Sequence, residues 1–102
     1  MEQAPVVVVG AGIAGVACAR ELSTAGVPVR LVDRGRRIGG RLGSKRLGDR
    51  PTDLGASYLT ASADDFVEVV QGWRSRGLAH EWTDTFSVLS PDAAPTSTTG
   101  PM

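Results

Sequence analysis

Three glycines and one aspartate have the types and spacing of a site for phosphate and ribose. Gly10, Gly12 and Gly15 lie in "VVVVGAGIAGVACARELSTAGVPVRLVD", and Asp33 closes its second apolar run. Glycine permits a tight turn and lets the backbone approach a pyrophosphate, and a carboxylate can accept hydrogen bonds from ribose hydroxyls. Asp33 lies 18 residues after Gly15, close to the spacing of about 20 that dinucleotide-binding folds show. The pattern therefore predicts a dinucleotide site.

The elements around these glycines are expected to form a βαβ unit. Val6–Val9 is a β-branched run typical of a strand buried on both faces of a parallel sheet. A helix is predicted from Ile13 to Ala25, with Gly26 as its left-handed stop, followed by a strand over Val27–Val32. This order predicts an α/β fold, the N-terminal part of a doubly wound, Rossmann-like domain. In such a domain the first amides of the helix face the phosphates.

The second half of the chain predicts fewer elements. Residues 62–65 have the form of a capping box, which predicts a helix to about Arg76 with Gly77 as its stop. Two short strands are expected at Leu78–Trp82 and Phe86–Leu89. From Ser90 onward, "SPDAAPTSTTGPM" is predicted to form no packed element. The dinucleotide-binding domain is thus expected over 1–89, with a flexible tail or truncation point over 90–102.

Composition argues against several classes of partner. The 11 basic residues balance the 11 acidic ones, although seven of the basic residues fall within 34–50. That basic segment contains no aromatic residue, so nucleic-acid binding is not expected. No apolar run approaches the roughly 20 residues that a membrane span needs, and no metal-ligand spacing is present. The single cysteine excludes an internal disulfide and fits a reducing compartment, so a soluble cytoplasmic protein is expected.

The residues after Asp33 bear on which dinucleotide is bound. Arg34 and two further arginines could accommodate the 2′-phosphate of NADP, whereas Asp33 would repel that phosphate at close range. The sequence Gly39-Gly40-Arg41 offers a second place where backbone amides and a guanidinium can reach a pyrophosphate. A plain NAD domain rarely needs that contact, so the contact argues against an NAD(P)-binding reductase domain. Such a domain nevertheless stays an alternative to an FAD site.

Two motifs resemble the amine-oxidase superfamily of FAD flavoproteins, and its renalase-like branch most closely. They are "DRGRRIGGR" at 33–41 and "DLGASYLT" at 53–60. In that superfamily a GGR motif follows the acid that closes the second strand, and a D-x-GA segment then runs beside the flavin ring. Gly35 stands where amine oxidases proper often have arginine, which favours the renalase-like branch. The resemblance extends to about residue 89.

The resemblance implies FAD as the cofactor and assigns a part of it to each motif. Asp33 would contact the adenosine ribose, Arg41 the phosphates, and a segment of small residues with one tyrosine the isoalloxazine. The predicted cofactor-binding residues are Gly10, Gly12, Ile13, Ala14, Gly15, Asp33, Arg34, Gly39, Gly40, Arg41, Gly55, Ala56, Ser57 and Tyr58. No catalytic residue is assigned, because the resemblance places the substrate-facing residues beyond residue 102.

The function implied for the intact protein is that of an FAD-dependent oxidoreductase. Hydride would pass from an amine or a dihydronicotinamide-type substrate to the flavin, with reoxidation by dioxygen. Because members of the superfamily have several hundred residues, this chain is expected to be a fragment that is inactive alone. The remainder of the same protein, as a second chain, is a possible partner. A non-catalytic dinucleotide-binding module that assembles with another chain is the second alternative.

Overall fold

The computed structural model describes residues 3–100, and the chain divides into two compact units, Met1–Ser57 and Tyr58–Met102. The first unit contains β1 (Val6–Val9), α1 (Ile13–Thr24), β2 (Val29–Val32), a 3-10 turn (Gly40–Leu42), β3 (Ser44–Leu47) and β4 (Arg50–Asp53). The second contains α2 (Asp64–Ser75), β5 (Thr85–Ser90) and β6 (Ala93–Thr99). None of the described helices has the length and apolar character to cross a membrane.

The predicted βαβ unit is confirmed. Strands β1 and β2 are parallel, with Val6 opposite Val29 and Val9 opposite Val32, and α1 connects them. Gly26 has a φ of +78°, and its amide donates to the Ser23 carbonyl at 3.0 Å, so α1 ends as predicted. Strand β2 begins two residues later than predicted. The residue before it, Pro28, has no amide hydrogen with which to extend the ladder.

The expectation that β1 is buried on both faces is wrong. Val7 is 55% exposed and Val9 is 83% exposed. Within residues 3–100 the parallel sheet has only two strands, and α1 is the helix that packs on them. Cys18, on α1, is also exposed. The buried apolar residues of the described chain are small, namely Ala11, Ala19 and Ala61.

Helix α2 is confirmed, but not by the predicted cap. The residue preceding it is Ala63, which makes no side-chain cap bond, so the capping box expected from Ser62 is wrong. The Asp65 carboxylate instead accepts a hydrogen bond from the adjacent Phe66 amide at 2.8 Å. At the other end Gly77 has a φ of +71° and donates to the Arg74 carbonyl, which confirms the predicted stop.

The end of the chain differs from the prediction. Ala93–Thr99 forms β6, antiparallel to β5 with Thr85 opposite Thr99, so the flexible tail predicted over 90–102 is wrong for this segment. Threonine is β-branched and favours strands, and the Pro-Asp pair before β6 favours a turn. The prediction of no packed element relied on the polar composition and missed these two local preferences. Residues 78–82, predicted as a strand, have no ladder partner. The boundary between the two units falls after Ser57, inside the predicted 1–89 domain.

Candidate dinucleotide-binding site

The glycine turn, defined here as residues 10–15, uses its three glycines differently. Gly10 has a φ of +101° and donates its amide to the Val32 carbonyl at 2.7 Å, which carries the chain off β1. A Cβ at Gly15 would overlap the carbonyl oxygen of Gly10. A Cβ at Gly12 would meet nothing within 4 Å. The fold itself therefore requires Gly10 and Gly15, whereas Gly12 faces open space into which a ligand can fit.

The N-terminus of α1 retains the capacity to bind an anion. Its cap, Gly12, makes no side-chain bond, and its first turn contains no acidic residue. No protein group within residues 3–100 accepts a hydrogen bond from the amides of Ile13, Ala14 and Gly15. These amides carry the positive end of the helix dipole, which favours a phosphate group.

Asp33 is held by two backbone amides at the carboxyl end of β2. One carboxylate oxygen, Oδ2, accepts from Ala11 N–H at 2.8 Å, and the other, Oδ1, accepts from Gly35 N–H at 2.6 Å. These two bonds, with a smaller contribution from the charge of Arg34, lower the pKa of Asp33 from its ordinary value of 3.8. The group is therefore ionised at neutral pH. Because each carboxylate oxygen has a second lone pair, both can still accept from ribose hydroxyls.

The GGR segment, residues 39–41, lies directly against the glycine turn. Gly39 donates its amide to the Ala11 carbonyl at 2.8 Å. A Cβ at Gly40 would lie 3.3 Å from the Cα of Gly12, so the two backbones are in close contact. Arg41 follows in an exposed 3-10 turn, and its guanidinium makes no hydrogen bond or ion pair with any described residue. That side chain is free to contact a phosphate.

The DLGA segment, residues 53–56, lies against the GGR segment. Ala56 donates its amide to the Arg41 carbonyl at 3.0 Å, and Leu54 donates to the Gly43 carbonyl at 3.0 Å. A Cβ at Gly55 would lie only 2.7 Å from the Arg41 carbonyl oxygen. The first unit thus connects the glycine turn to the GGR segment, and the GGR segment to the DLGA segment.

The structure brings together most of the predicted site residues. The roles of these residues in binding a cofactor stay predictions. Arg34 is exposed beside Asp33, and Ser57 is exposed at the end of the first unit. Tyr58 belongs to the second unit, where its ring centroid lies 5.7 Å from those of Trp82 and Phe86. The connected residues are Gly10, Gly12, Ile13, Ala14, Gly15, Asp33, Gly39, Gly40, Arg41, Gly55 and Ala56. Among residues 3–100, no group of three or more His, Cys, Asp or Glu side chains could hold a metal ion.

Two contributors to this site were not predicted. Ala11 donates to Asp33 and accepts from Gly39, but both contacts use its backbone, so the side-chain type carries no signal for them. Gly35 donates to the carboxylate two residues before it. An aspartate followed two residues later by glycine is a recognised turn signal that could have revealed this contact.

The likeness to known proteins agrees with this geometry. Residues 8–73 match the NAD(P)-binding Rossmann-like domain family. The chain belongs to this family. The match includes Asp33, the GGR segment and the DLGA segment, as well as most of the glycine-rich βαβ unit. The α/β class and the Rossmann-like topology predicted from sequence are therefore confirmed.

Several relatives of this Rossmann-like segment are named as flavin-dependent or amine-oxidising proteins. It is 41% identical over 63 residues to probable polyamine oxidase 4 of Arabidopsis thaliana, covering 62% of this chain and 13% of that protein. It is 44% identical over 59 residues to the putative flavin-containing monoamine oxidase AofH of Mycobacterium tuberculosis, covering 58% and 13% respectively. It is 37% identical over 95 residues to lysine-specific histone demethylase 1 homolog 3 of Oryza sativa subsp. indica, covering 88% and 12% respectively.

A solved structure extends the likeness to nearly the whole chain. Wild-type putrescine oxidase bound to putrescine superposes with a TM-score of 0.63 at 25% identity, covering 97% of this chain and 22% of that one. This chain spans about an eighth of the length of the curated relatives above. It is thus a Rossmann-like segment that is similar to a small part of those larger proteins.

Proposed function

We propose that this chain is the FAD-binding segment of a flavin-dependent oxidoreductase. The observation that carries the proposal is the contact between the GGR segment and the glycine turn, formed by the Gly39–Ala11 hydrogen bond and the approach of Gly40 to Gly12. This contact places the backbone of the GGR segment beside the N-terminus of α1, and the unpaired side chain of Arg41 follows one residue later. The relatives include a protein named as a flavin-containing oxidase, which supports FAD over NAD(P).

The residues of the first unit would hold FAD by its adenosine diphosphate half. The amides of Ile13, Ala14 and Gly15 would donate to the pyrophosphate, and the Arg41 guanidinium would form a charge-assisted contact with it. The ionised carboxylate of Asp33 would accept from the ribose hydroxyls. The role of this chain is therefore to bind and orient the cofactor.

The bound flavin would supply the redox chemistry, accepting a hydride from the substrate and passing electrons to dioxygen. We propose an amine as the substrate of the intact protein, because the relatives are named as polyamine and monoamine oxidases. No residue of this chain is assigned to proton transfer. The glycine turn, Asp33 and Arg41 would fix the position at which the flavin meets its substrate.

A second candidate is the oxidation of a dihydronicotinamide compound by a member of the renalase-like branch. The observation that favours it is the local geometry of Gly35, where a Cβ would lie 2.9 Å from Oδ1 of Asp33. A turn around the aspartate thus occupies the position where amine oxidases proper often have arginine. This candidate shares the FAD site and differs in the substrate alone.

Equilibrium titration tests the proposal on this chain. FAD, NADH and NADPH are added separately, and binding is followed by calorimetry. We expect FAD to bind more tightly than either nicotinamide dinucleotide. All three ligands share the adenosine diphosphate half, and only FAD has a flavin ring to lie against Ala56 and Ser57, beyond the GGR segment. Tighter binding of NADPH than of FAD would replace the proposal with an NAD(P)-binding reductase domain. For the full-length protein, flavin reduction by putrescine or by NADH would then distinguish the two substrate classes.

A further inference from the structure

We propose that Gly55 is a positioning residue for Arg41. The close approach of Gly55 to the Arg41 backbone, and not contact with the flavin ring, is what requires glycine at this position. The inference rests on the proposed function, since it assigns Arg41 to the pyrophosphate. A Cβ at Gly55 would lie 2.7 Å from the Arg41 carbonyl oxygen and 3.4 Å from the Arg41 Cβ. Gly55 is not among the glycines of positive φ, so close contact, and not backbone conformation, excludes a side chain.

The hairpin of β3 and β4 sets this contact. Its register pairs Ser44 with Asp53 at the open end of the ladder. Beyond that pair, the Leu54 amide donates to the Gly43 carbonyl and the Ala56 amide donates to the Arg41 carbonyl. The same register therefore continues past the ends of both strands. Gly55 lies between these two hydrogen bonds. A Cβ there cannot be accommodated by moving the segments apart unless one of the bonds lengthens or breaks.

Arg41 is held from its other side as well. The preceding Gly40 packs against Gly12 of the glycine turn, with 3.3 Å between an added Cβ and the Gly12 Cα. The backbone of Arg41 is thus fixed between the glycine turn and the DLGA segment. Because the guanidinium has no protein partner within residues 3–100, its position relative to a phosphate depends on this backbone placement.

The test compares ADP, which carries the diphosphate but no flavin, with FAD. If Gly55 positions Arg41, Gly55→Ala weakens the binding of both ligands by the same factor. We expect about tenfold, the size of one displaced charge-assisted contact. Gly72→Ala is the matched control, since Gly72 has no positive φ and no atom within 4 Å of an added Cβ. This control variant should bind both ligands as the wild type does, and circular dichroism verifies the fold of each variant.

A double-mutant cycle identifies the route of the effect. In an Arg41→Gln background, Gly55→Ala should cause no further loss of ADP affinity, because the residue through which it acts is already absent. If Gly55→Ala does not fold, Ala56→Pro replaces it in the test, because it removes the amide that donates to the Arg41 carbonyl. We expect Ala56→Pro to weaken ADP and FAD binding equally, and to cause no further loss in the Arg41→Gln background. Loss of FAD affinity with unchanged ADP affinity would overturn the inference and place Gly55 against the flavin, leaving the proposed function intact. A wild type that binds neither ligand would overturn both.

Discussion

At the scale of single residues, the peptide groups of Ala11 join two parts of the site that are far apart in sequence. Its amide donates to Asp33 and its carbonyl accepts from Gly39, while its side chain is 2% exposed. Asp33 therefore has a structural function, because it holds the glycine turn in the conformation that meets the GGR segment. Under the proposed function, its carboxylate would also accept hydrogen bonds from the ribose hydroxyls.

The structural function of Asp33 predicts a pH dependence of stability. Its pKa is lowered in the folded chain by the Ala11 and Gly35 amides, so its ionisation stabilises the fold above the ordinary value of 3.8. That contribution is lost as the pH falls below 3.8 and through the lower folded pKa. Asp33→Asn lacks this ionisation, so the difference between the free energies of unfolding of wild type and variant should be larger at pH 7 than at pH 3. Urea unfolding at both values measures this; a constant difference would contradict it.

The glycine turn predicts opposite phenotypes for two alanine substitutions. Gly15→Ala places a Cβ on the Gly10 carbonyl oxygen and should reduce the free energy of unfolding by about 1–3 kcal/mol. Gly12→Ala places a Cβ in open space, so its stability should change by less than about 1 kcal/mol. The same Cβ would occupy the room that the pyrophosphate needs, and FAD affinity should be lost.

Thermal unfolding and FAD titration of the two variants distinguish these effects. If Gly12→Ala bound FAD normally, the pyrophosphate would not lie against Gly12. The assignment of the glycine turn to the cofactor would then fail.

At the scale of elements, the sequence predicted helices and strands correctly where the local residue pattern and the tertiary environment favour the same structure. The valine run, the helix ending at Gly26 and the position of Asp33 predicted the βαβ unit, because strand propensity, helix stop and spacing are local properties. Strand β6 was missed because its Ser and Thr residues are polar on both faces, although threonine favours strands. The docking of the DLGA segment on Arg41 depends on the register of a hairpin, which hydrophobic alternation did not reveal.

Helix α2 offers a matched pair of glycines with opposite expected effects. Gly77 has a φ of +71° just after the helix, whereas Gly72 is inside it with no neighbour near an added Cβ. Gly77→Ala should lower the free energy of unfolding by about 1–2 kcal/mol, because alanine is disfavoured in the left-handed region. Gly72→Ala should raise it by up to about 1 kcal/mol, since alanine is the better helix former. Urea unfolding followed by circular dichroism checks both; effects of equal sign would contradict the helix end described here.

At the scale of the whole molecule, the connected site belongs entirely to the first unit. Asp33, the glycine turn, the GGR segment and the DLGA segment all precede residue 58. The sequence predicted a site that also included Tyr58, but this residue packs with Trp82 and Phe86 in the second unit. Which segments share a compact unit is set by long-range packing, and a contiguous motif such as "DLGASY" does not show where a unit ends.

The most direct test of the central claim is the change in backbone amide chemical shifts of this chain when FAD is added. We expect the largest changes to fall on three groups of the first unit: residues 12–15, residues 33–35 and residues 39–41. The β5–β6 hairpin, with its own ladder in the second unit, serves as the internal reference and should change little. Changes confined to the second unit, or none at FAD concentrations that saturate a related flavoprotein, would contradict the assignment of this segment to FAD.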